Sequence, residues 1–323
     1  LFLSKNVYKI DSIDKLANKL KEIGIAPAAA YSAKSDIIAL HRNDNGKADF
    51  YWFFNKADKA ESVDVTLTGT GTPYFLNAWT GDIKPAAKYR SGKGTVTLTV
   101  SLEASATNII VLTDTPIAER FKLHVSEGAA DSYYYNDKGG LVARASKAGN
   151  YRTTLSNGSI KEVTIAQPGS ISLDNAAWSL RVESWSKDPG DPNGMVKTNS
   201  DYILDKLVDW TKIKGLETVS GRATYSTSFN LPNWTDALGA YIRLELGKGT
   251  SAVTKIVING KTLPVLDQSG RVIDAGRFLV KGKNTIEIEI ATFLYNTVFG
   301  TPKYAYGLTG VDFIPYSDSV VSD

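Results

Sequence analysis

The stretch VSGRATYSTSFNLPNW, from Val219 to Trp234, alternates polar and apolar residues and is rich in Thr, Tyr and Ser. A period of two is typical of a β-strand whose alternate side chains face a core. Similar short runs, separated by turn residues, occupy most of the chain. The clearest are IIALHR, DFYWFFN, VDVTLTG, TVTLTVS, FKLHVS, GLVARAS, WSLRVESW, AYIRLELG and NTIEIEIAT. The pattern predicts an all-β protein built from tandem antiparallel β-sandwiches.

The runs fall into groups that predict the domains. Six strands without intervening helices predict a β-sandwich over residues 35–115. A small β region at 116–172 follows, either separate or part of the last domain, and the strands of 173–318 predict a jelly roll. Residues 1–34 differ, because DSIDKLANKLKEIG has apolar residues at helical spacing, with Ser12 as N-cap and Gly24 as stop. We expect the short strand VYKI, residues 7–10, and the helix after it to pack on protein that precedes them.

Composition excludes several classes of protein. The 323 residues carry a formal net charge of only +3 and no Lys/Arg-rich run, so we expect no nucleic-acid partner. No apolar stretch is long enough to cross a bilayer, and we expect no membrane partner. The absence of cysteine excludes disulfides, zinc–thiolate sites and cysteine nucleophiles. Glycosylation sequons at Asn157 and Asn233 favour a secreted, extracellular protein.

Few residues offer acid–base chemistry. The two histidines, His41 and His124, both lie in predicted strands, where a lone histidine usually packs rather than catalyses. The chain has no Gly-rich phosphate loop, no HExxH pair and no GxSxG elbow. The loop DPGDPNG offers Asp188, Asp191 and Asn193 as oxygen ligands for a structural calcium ion, although a plain Pro/Gly turn explains its composition better. We expect no other cofactor.

Aromatic side chains are the candidates for sugar binding, because the C–H face of a sugar ring stacks on an exposed aromatic ring. Trp79 and Trp234 stand beside predicted turns, and we expect them to be the exposed rings. Trp52, Trp178 and Trp185 lie in predicted strands, where we expect them in the core.

Several segments of the last third of the chain follow one another in a characteristic order: WSLRVESW, LVDWTKI, VSGRATYSTSFNL, LELGKGTSAVTKIVINGK and VKGKNTIEIEIAT. This order resembles the galactose-binding-like jelly roll of large glycoside hydrolases. The ending LYNTVFGTPKYAYGLTGVDFIPY is similar to that of α-L-rhamnosidases of glycoside hydrolase family 106. The earlier ALHRNDNGKADFYWFFN and FLNAWTGDIKPAAKY resemble the segment that follows the catalytic barrel in those enzymes.

The resemblance implies that the catalytic carboxylates belong to an upstream (β/α)8 barrel. No stretch of this sequence shows the repeated strand–helix alternation of such a barrel. His41 and Arg42 match the family's HR pair and are the residues that the resemblance would bring near that active site. Leu1 is not a Met and no signal pattern follows it, so we expect a chain processed from a larger precursor.

The sequence therefore predicts the non-catalytic C-terminal part of a secreted, rhamnosidase-like glycoside hydrolase. Its expected partners are the upstream catalytic polypeptide of the same precursor and a polysaccharide or oligosaccharide. Two alternatives stay open: a free-standing carbohydrate-binding protein, and a complete enzyme whose site the sequence does not reveal.

Overall fold

The computed structural model describes residues 7–118, 121–173, 176–247, 252–265 and 271–322. Near its start, a 3-10 turn at Ile13–Lys15 leads into helix α1, Leu16–Glu22. The backbone amide of Asp14 donates to the Ser12 hydroxyl, and Gly24 follows the helix with a φ of +79°. The predicted cap and stop are therefore in place, but the strand expected at residues 7–10 does not form. Ile13 is 74% exposed, and the helix buries none of its residues.

Nine strands build the first β-sandwich. They are β1 (Ala29–Tyr31), β2 (Ile37–Asn43), β3 (Asp49–Asn55), β4 (Glu61–Thr68), β5 (Thr72–Leu76), β6 (Ile83–Pro85), β7 (Arg90–Gly92), β8 (Thr95–Leu102) and β9 (Thr107–Thr113). One sheet has the order β1-β4-β8-β7, and the other has the order β2-β3-β9-β5-β6. The hairpin between β2 and β3 turns at Asn45 and Gly46, which have φ values of +48° and +78°, as expected for an Asn-Gly pair.

The core of this sandwich lies between its two sheets. Tyr51, Phe53 and Ile110 of the five-stranded sheet are fully buried against Val65 and Leu98 of the four-stranded sheet. Burial and the neighbouring Asp49 carboxylate raise the pKa of Tyr51 to about 12, so its hydroxyl stays protonated and donates to the Thr68 carbonyl. Alternate residues of these strands supply the core, which explains their period of two.

Five strands follow in the middle of the chain: β10 (Val125–Gly128), β11 (Ser132–Tyr135), β12 (Leu141–Ala145), β13 (Gly149–Leu155) and β14 (Ile160–Ile165). Strands β10, β13 and β14 form a three-stranded sheet. Its neighbour across a small core is the pair β11-β12, which contributes Tyr133, Leu141 and Ala143. The middle region also contacts the first sandwich, where the Val125 amide donates to the Ala87 carbonyl at 2.8 Å.

The last sandwich is a jelly roll. Its strands are β15 (Trp178–Lys187), β16 (Met195–Leu204), β17 (Gly221–Leu231), β18 (Leu238–Leu246), β19 (Ala252–Ile258), β20 (Lys261–Thr262), β21 (Val272–Asp274), β22 (Gly282–Thr292) and β23 (Leu308–Ser322), with helix α2 (Tyr295–Phe299) before the last strand. Short 3-10 turns lie at Trp210–Lys212 and Gly276–Phe278. One sheet has the order β16-β15-β17-β22-β19-β20. The stretch that alternates so clearly in the sequence is β17, whose Ala223 and Tyr225 face the core.

The long strand β23 joins the middle region to the jelly roll. Its first part pairs with β18, and its last part pairs with β12, which gives a sheet of order β11-β12-β23-β18-β21. One continuous sheet therefore covers two cores. The predicted all-β fold class is confirmed, and within the described residues no helix is long and apolar enough to cross a membrane.

Arg144 of β12 ties this shared sheet together on its outer face. Its guanidinium makes two hydrogen bonds to Asp318 of β23, at 2.8 and 3.0 Å, and one to Asp274 of β21, at 2.8 Å. It also lies over the ring of Tyr316, 3.6 Å from the ring centre. The Tyr134 hydroxyl donates to Asp318, and burial together with that carboxylate raises the pKa of Tyr134 to about 12. The cluster connects strands that belong to the two regions.

Arg144→Ala should lower the free energy of unfolding by about 3 kcal/mol, because it leaves Asp318 mostly buried without its bidentate partner. Arg181→Ala is the matched control, since Arg181 makes a similar two-point pair with Asp201 in full contact with solvent. Urea unfolding followed by circular dichroism measures both variants. Equal midpoints for the two variants would show that Arg144 does not hold the sheet.

Candidate functional site

His41 and Arg42 point to opposite faces of strand β2. The Nε2 atom of His41 lies 2.8 Å from the Asp49 carboxylate, and its ring stacks on Tyr51 at 4.5 Å. Asn43 donates to the same carboxylate oxygen. Arg42 is exposed on the other face. The structure thus fixes His41 within its own sheet and does not bring the two side chains together.

His124, the second histidine, lies just before β10 and stacks on Tyr89 with 3.7 Å between ring centres. Burial lowers the pKa of His124, so the imidazole is neutral near pH 7. It packs at the junction between the first sandwich and the middle region, as expected for a lone histidine in this setting.

In the loop between β15 and β16, the predicted calcium-binding residues hydrogen-bond to the backbone of tight turns. A carboxylate oxygen of Asp188 accepts from the Gly190 amide, and one of Asp191 accepts from the Asn193 amide. Among the described residues, no group of three or more His, Cys, Asp or Glu side chains could hold a metal ion. The contacts are those of ordinary Asx turns.

Both sequons lie on exposed turns. Asn157 stands in the hairpin between β13 and β14, where its side-chain oxygen accepts from the amide and hydroxyl of Ser159. Asn233 follows strand β17 and is exposed. Both side chains are accessible to a modifying enzyme.

The tryptophans differ from expectation at three positions. Trp52, expected in the core, is only partly buried and faces outward from β3, on the face of Leu40 and Phe54. Trp234 is only 7% exposed and packs in the jelly-roll core, because the turn after Leu231 folds its ring back over the sheet against Gly169. The expectation that it is an exposed ring is therefore wrong. Trp185, expected in the core, is 41% exposed. It lies near the end of β15, opposite Lys197 and beyond the point at which this strand pairs with β17.

Trp79 is 44% exposed and stands over a cleft of about 270 Å³ in the first sandwich. We call this the Trp79 cleft. It is lined by the apolar residues Phe75, Leu76 and Ile109 and by the polar residues Asp82, Lys84 and Asn108. The cleft is found where the β5–β6 hairpin meets the start of β9. Of the two predicted sugar-binding residues, Trp79 is the one whose ring is accessible.

A second feature, which the sequence reading missed, is an apolar surface on the outside of the five-stranded sheet. Directly paired residues share a face, and one line of pairs crosses all five strands. Its members are Leu40, Trp52, Ile109, Leu76 and Ile83. We call this line the apolar row. Leu40 is 63% exposed and Ile83 is 39% exposed, and Trp52 stacks on Phe54 of the same face at 5.9 Å.

The other sheet of the same sandwich has the opposite character. Its outer face carries hydroxyl ladders, in which Ser62 contacts Ser101 at 2.7 Å and Thr66 contacts Thr97 at 2.9 Å. An antiparallel sheet with one face in water normally shows this polar outer face. The apolar row is therefore specific to one side of the sandwich.

The signal for the apolar row was present in DFYWFFN, the sequence of β3. A half-buried strand alternates, but in this segment the residues from Phe50 to Phe54 are all aromatic. Such a run predicts a strand covered on both faces. The paired strands, which determine the full surface, are visible only in the structure.

Comparisons with known proteins bear on the fold. No family model and no curated protein sequence matches this chain. Among solved structures, it matches the rhamnosidase from Novosphingobium sp. PP1Y with a TM-score of 0.57 at 20% identity. The match covers 93% of this chain and 26% of the rhamnosidase chain. This chain has the fold of one part of a rhamnosidase.

The resemblance noted in the sequence is thus confirmed at the level of the fold, and the chain spans about a quarter of the rhamnosidase that it matches. Other solved structures match this chain at much lower TM-scores. They include the α-L-rhamnosidase from Dictyoglumus thermophilum, with a TM-score of 0.24, 10% identity and coverage of 90% of this chain and 30% of that one. Another is BuGH86wt in complex with neoagarooctaose, with a TM-score of 0.25, 13% identity and coverage of 88% and 34%.

Acrylamide quenching of tryptophan fluorescence checks the placement of the rings. Trp79→Phe should reduce the quenchable fraction of the emission, because this ring is half exposed. Trp234→Phe should leave the quenchable emission itself unchanged and so raise its fraction of the total, because the ring removed lies in the core. A loss of quenchable emission in the Trp234 variant alone would contradict both assignments.

Proposed function

We propose that this chain is the non-catalytic C-terminal accessory part of a secreted, α-L-rhamnosidase-like glycoside hydrolase, and that its first sandwich packs on the catalytic part through the apolar row. The observation that carries the proposal is the contrast between the two outer faces of this sandwich. One face carries paired hydroxyls, and the other carries a continuous line of Leu, Trp and Ile side chains. A contiguous exposed apolar surface is typical of an interaction site.

Burial of the apolar row by a partner is energetically favourable. Full burial of an exposed Leu or Ile side chain is worth about 1.5–3 kcal/mol. Leu40, Ile38 and Ile83 all remain more than a third exposed. The half-buried Trp52 near the centre of the row has the chemistry of an interface anchor, because large aromatic rings dominate the energy of protein–protein contacts. A partner surface of apolar side chains would gain several kcal/mol from these residues.

The match to a rhamnosidase supports the identity of the partner. About three quarters of that rhamnosidase lies outside the matched part. Within the described residues of this chain, the Trp79 cleft contains a single carboxylate, Asp82, whereas glycoside hydrolysis commonly needs a pair. We therefore assign catalysis to the remainder of the protein. The 3-10 turn and helix α1 near the start of the chain also expose Ile13 and Leu16, which could contact a partner.

Secretion is supported by the exposed sequons, and the absence of cysteine is compatible with it, since three cores stabilise the chain without disulfides. Glycans on Asn157 would lie on the middle region, away from the apolar row of the first sandwich.

A second candidate function is that of a free-standing carbohydrate-binding protein. The Trp79 cleft favours it, because an exposed indole beside polar side chains suits a sugar ring. In that case the apolar row would either be covered by a second copy of the chain or stay exposed to solvent.

Leu40→Glu and Ile83→Glu test the proposal. The chain is co-expressed with the polypeptide encoded upstream in its precursor, and the complex is measured by size-exclusion chromatography with light scattering. Each variant should weaken association at least about 100-fold, because it places a carboxylate in an apolar contact. Ser101→Glu, on the polar face of the other sheet, is the matched control and should associate normally.

Two results would contradict the proposal. One is a native particle that contains this chain alone, as a monomer. The other is a complex that tolerates both row substitutions as well as it tolerates Ser101→Glu. A homodimer that Leu40→Glu dissociates would assign the apolar row to a second copy and favour the free-standing protein.

A further inference from the structure

We propose that the Trp79 cleft is a binding site for one neutral pyranose ring of an oligosaccharide. The cleft combines a half-exposed indole with apolar and polar lining residues, and a sugar ring likewise presents both an apolar face and polar hydroxyls. Its volume of about 270 Å³ is small for a ligand pocket and suits a single ring rather than a long chain.

The loop that carries Trp79 is held by its own hydrogen bonds. The Asn77 side-chain oxygen accepts from the amides of Trp79 and Thr80, at 2.9 and 3.1 Å. The backbone closes the loop on both sides, since the Gly81 amide donates to the Asn77 carbonyl and the Asn77 amide donates to the Asp82 carbonyl. Gly81 takes a φ of +77°, which this tight turn requires. The indole is therefore fixed before any ligand arrives, which lowers the entropic cost of binding.

The polar lining residues of the cleft are available to a ligand. In the described part of the chain, the side chains of Asp82, Lys84 and Asn108 make no hydrogen bond or ion pair, although all three line the cleft. A carboxylate accepts from two neighbouring hydroxyls, an ammonium donates, and a carboxamide does both. Together they match the mixed donors and acceptors along the edge of a sugar ring.

The two charges select the class of sugar. Asp82 and Lys84 both line the cleft and carry opposite charges, so the cleft presents no net charge of either sign. An acidic sugar would meet the Asp82 carboxylate, and a basic one would meet the Lys84 ammonium. A neutral ring gains hydrogen bonds from both groups without a repelling charge. Its C–H face then lies on the indole of Trp79.

The position of the cleft adds to the proposed function. Leu76 and Ile109 both line the cleft and belong to the apolar row. A sugar held by Trp79 would therefore lie at the edge of the surface that we assign to the catalytic part. The binding step itself does not depend on that assignment, because every group named here belongs to this chain.

Isothermal titration of the 323-residue chain tests the site, with methyl α-L-rhamnopyranoside and methyl β-D-galactopyranoside as probes. We expect at least one probe to bind with a Kd on the order of 1 mM, as suits a single ring. Trp79→Ala should raise that Kd by about tenfold through the lost stacking surface. Trp185→Ala is the matched control, because this ring is 41% exposed and lies in the jelly roll.

Trp79→Phe keeps an aromatic face and should retain most of the affinity, which separates stacking from damage to the loop. Asp82→Asn should weaken binding less than Trp79→Ala. The proposal is overturned if neither probe binds to the chain, or if Trp79→Ala and Trp185→Ala bind equally well. Neither result would affect association through the apolar row, which is measured without sugar.

Discussion

Strand β3 is apolar on both faces, and the function that we propose for the chain depends on that constraint. Tyr51 and Phe53 face the core between the sheets, whereas Trp52 and Phe54 face outward. A strand can bury one set of alternate side chains within its own sandwich, and the other set needs a second layer. Paired strands extend this outward set to Leu40 on one edge and Ile83 on the other. Among the described residues, no second layer covers this side of the sandwich, where Leu40 stays 63% exposed.

The rest of the chain is organised to hold that sandwich in place. Strand β23 belongs to both the middle region and the jelly roll, and Arg144 binds carboxylates on two strands of the shared sheet. The middle region also pairs with the first sandwich at Ala87 and Val125, and Arg243 of the jelly roll lies 3.3 Å from Glu103 of the first sandwich. Such contacts suit a support for another domain, because they resist relative movement of the parts.

The sequence was sufficient to predict most strands but not the surfaces that they form. All six strands expected over residues 35–115 are present, as are the helix and the Asn45-Gly46 turn, since these follow from local periodicity and backbone preference. The fates of Trp185 and Trp234 were not predictable, because they depend on how far a strand extends beyond its neighbour and on how a turn folds back. The apolar row required cross-strand registers, which a single sequence does not contain. For the Trp79 cleft, the aromatic residue was predicted from the sequence, and the polar residues that line the cleft with it were not.

The chain contains no cysteine, which allows a direct measurement of whether the apolar row is covered. A single Leu40→Cys substitution places a thiol at the most exposed position of the row, and Ser101→Cys places one on the polar face. The rate of thiol labelling is compared between the isolated chain and the native particle. If a partner covers the apolar row, labelling at position 40 slows many-fold in the native particle while labelling at position 101 does not change. Equal labelling at position 40 in both samples would contradict the proposal that the row is covered.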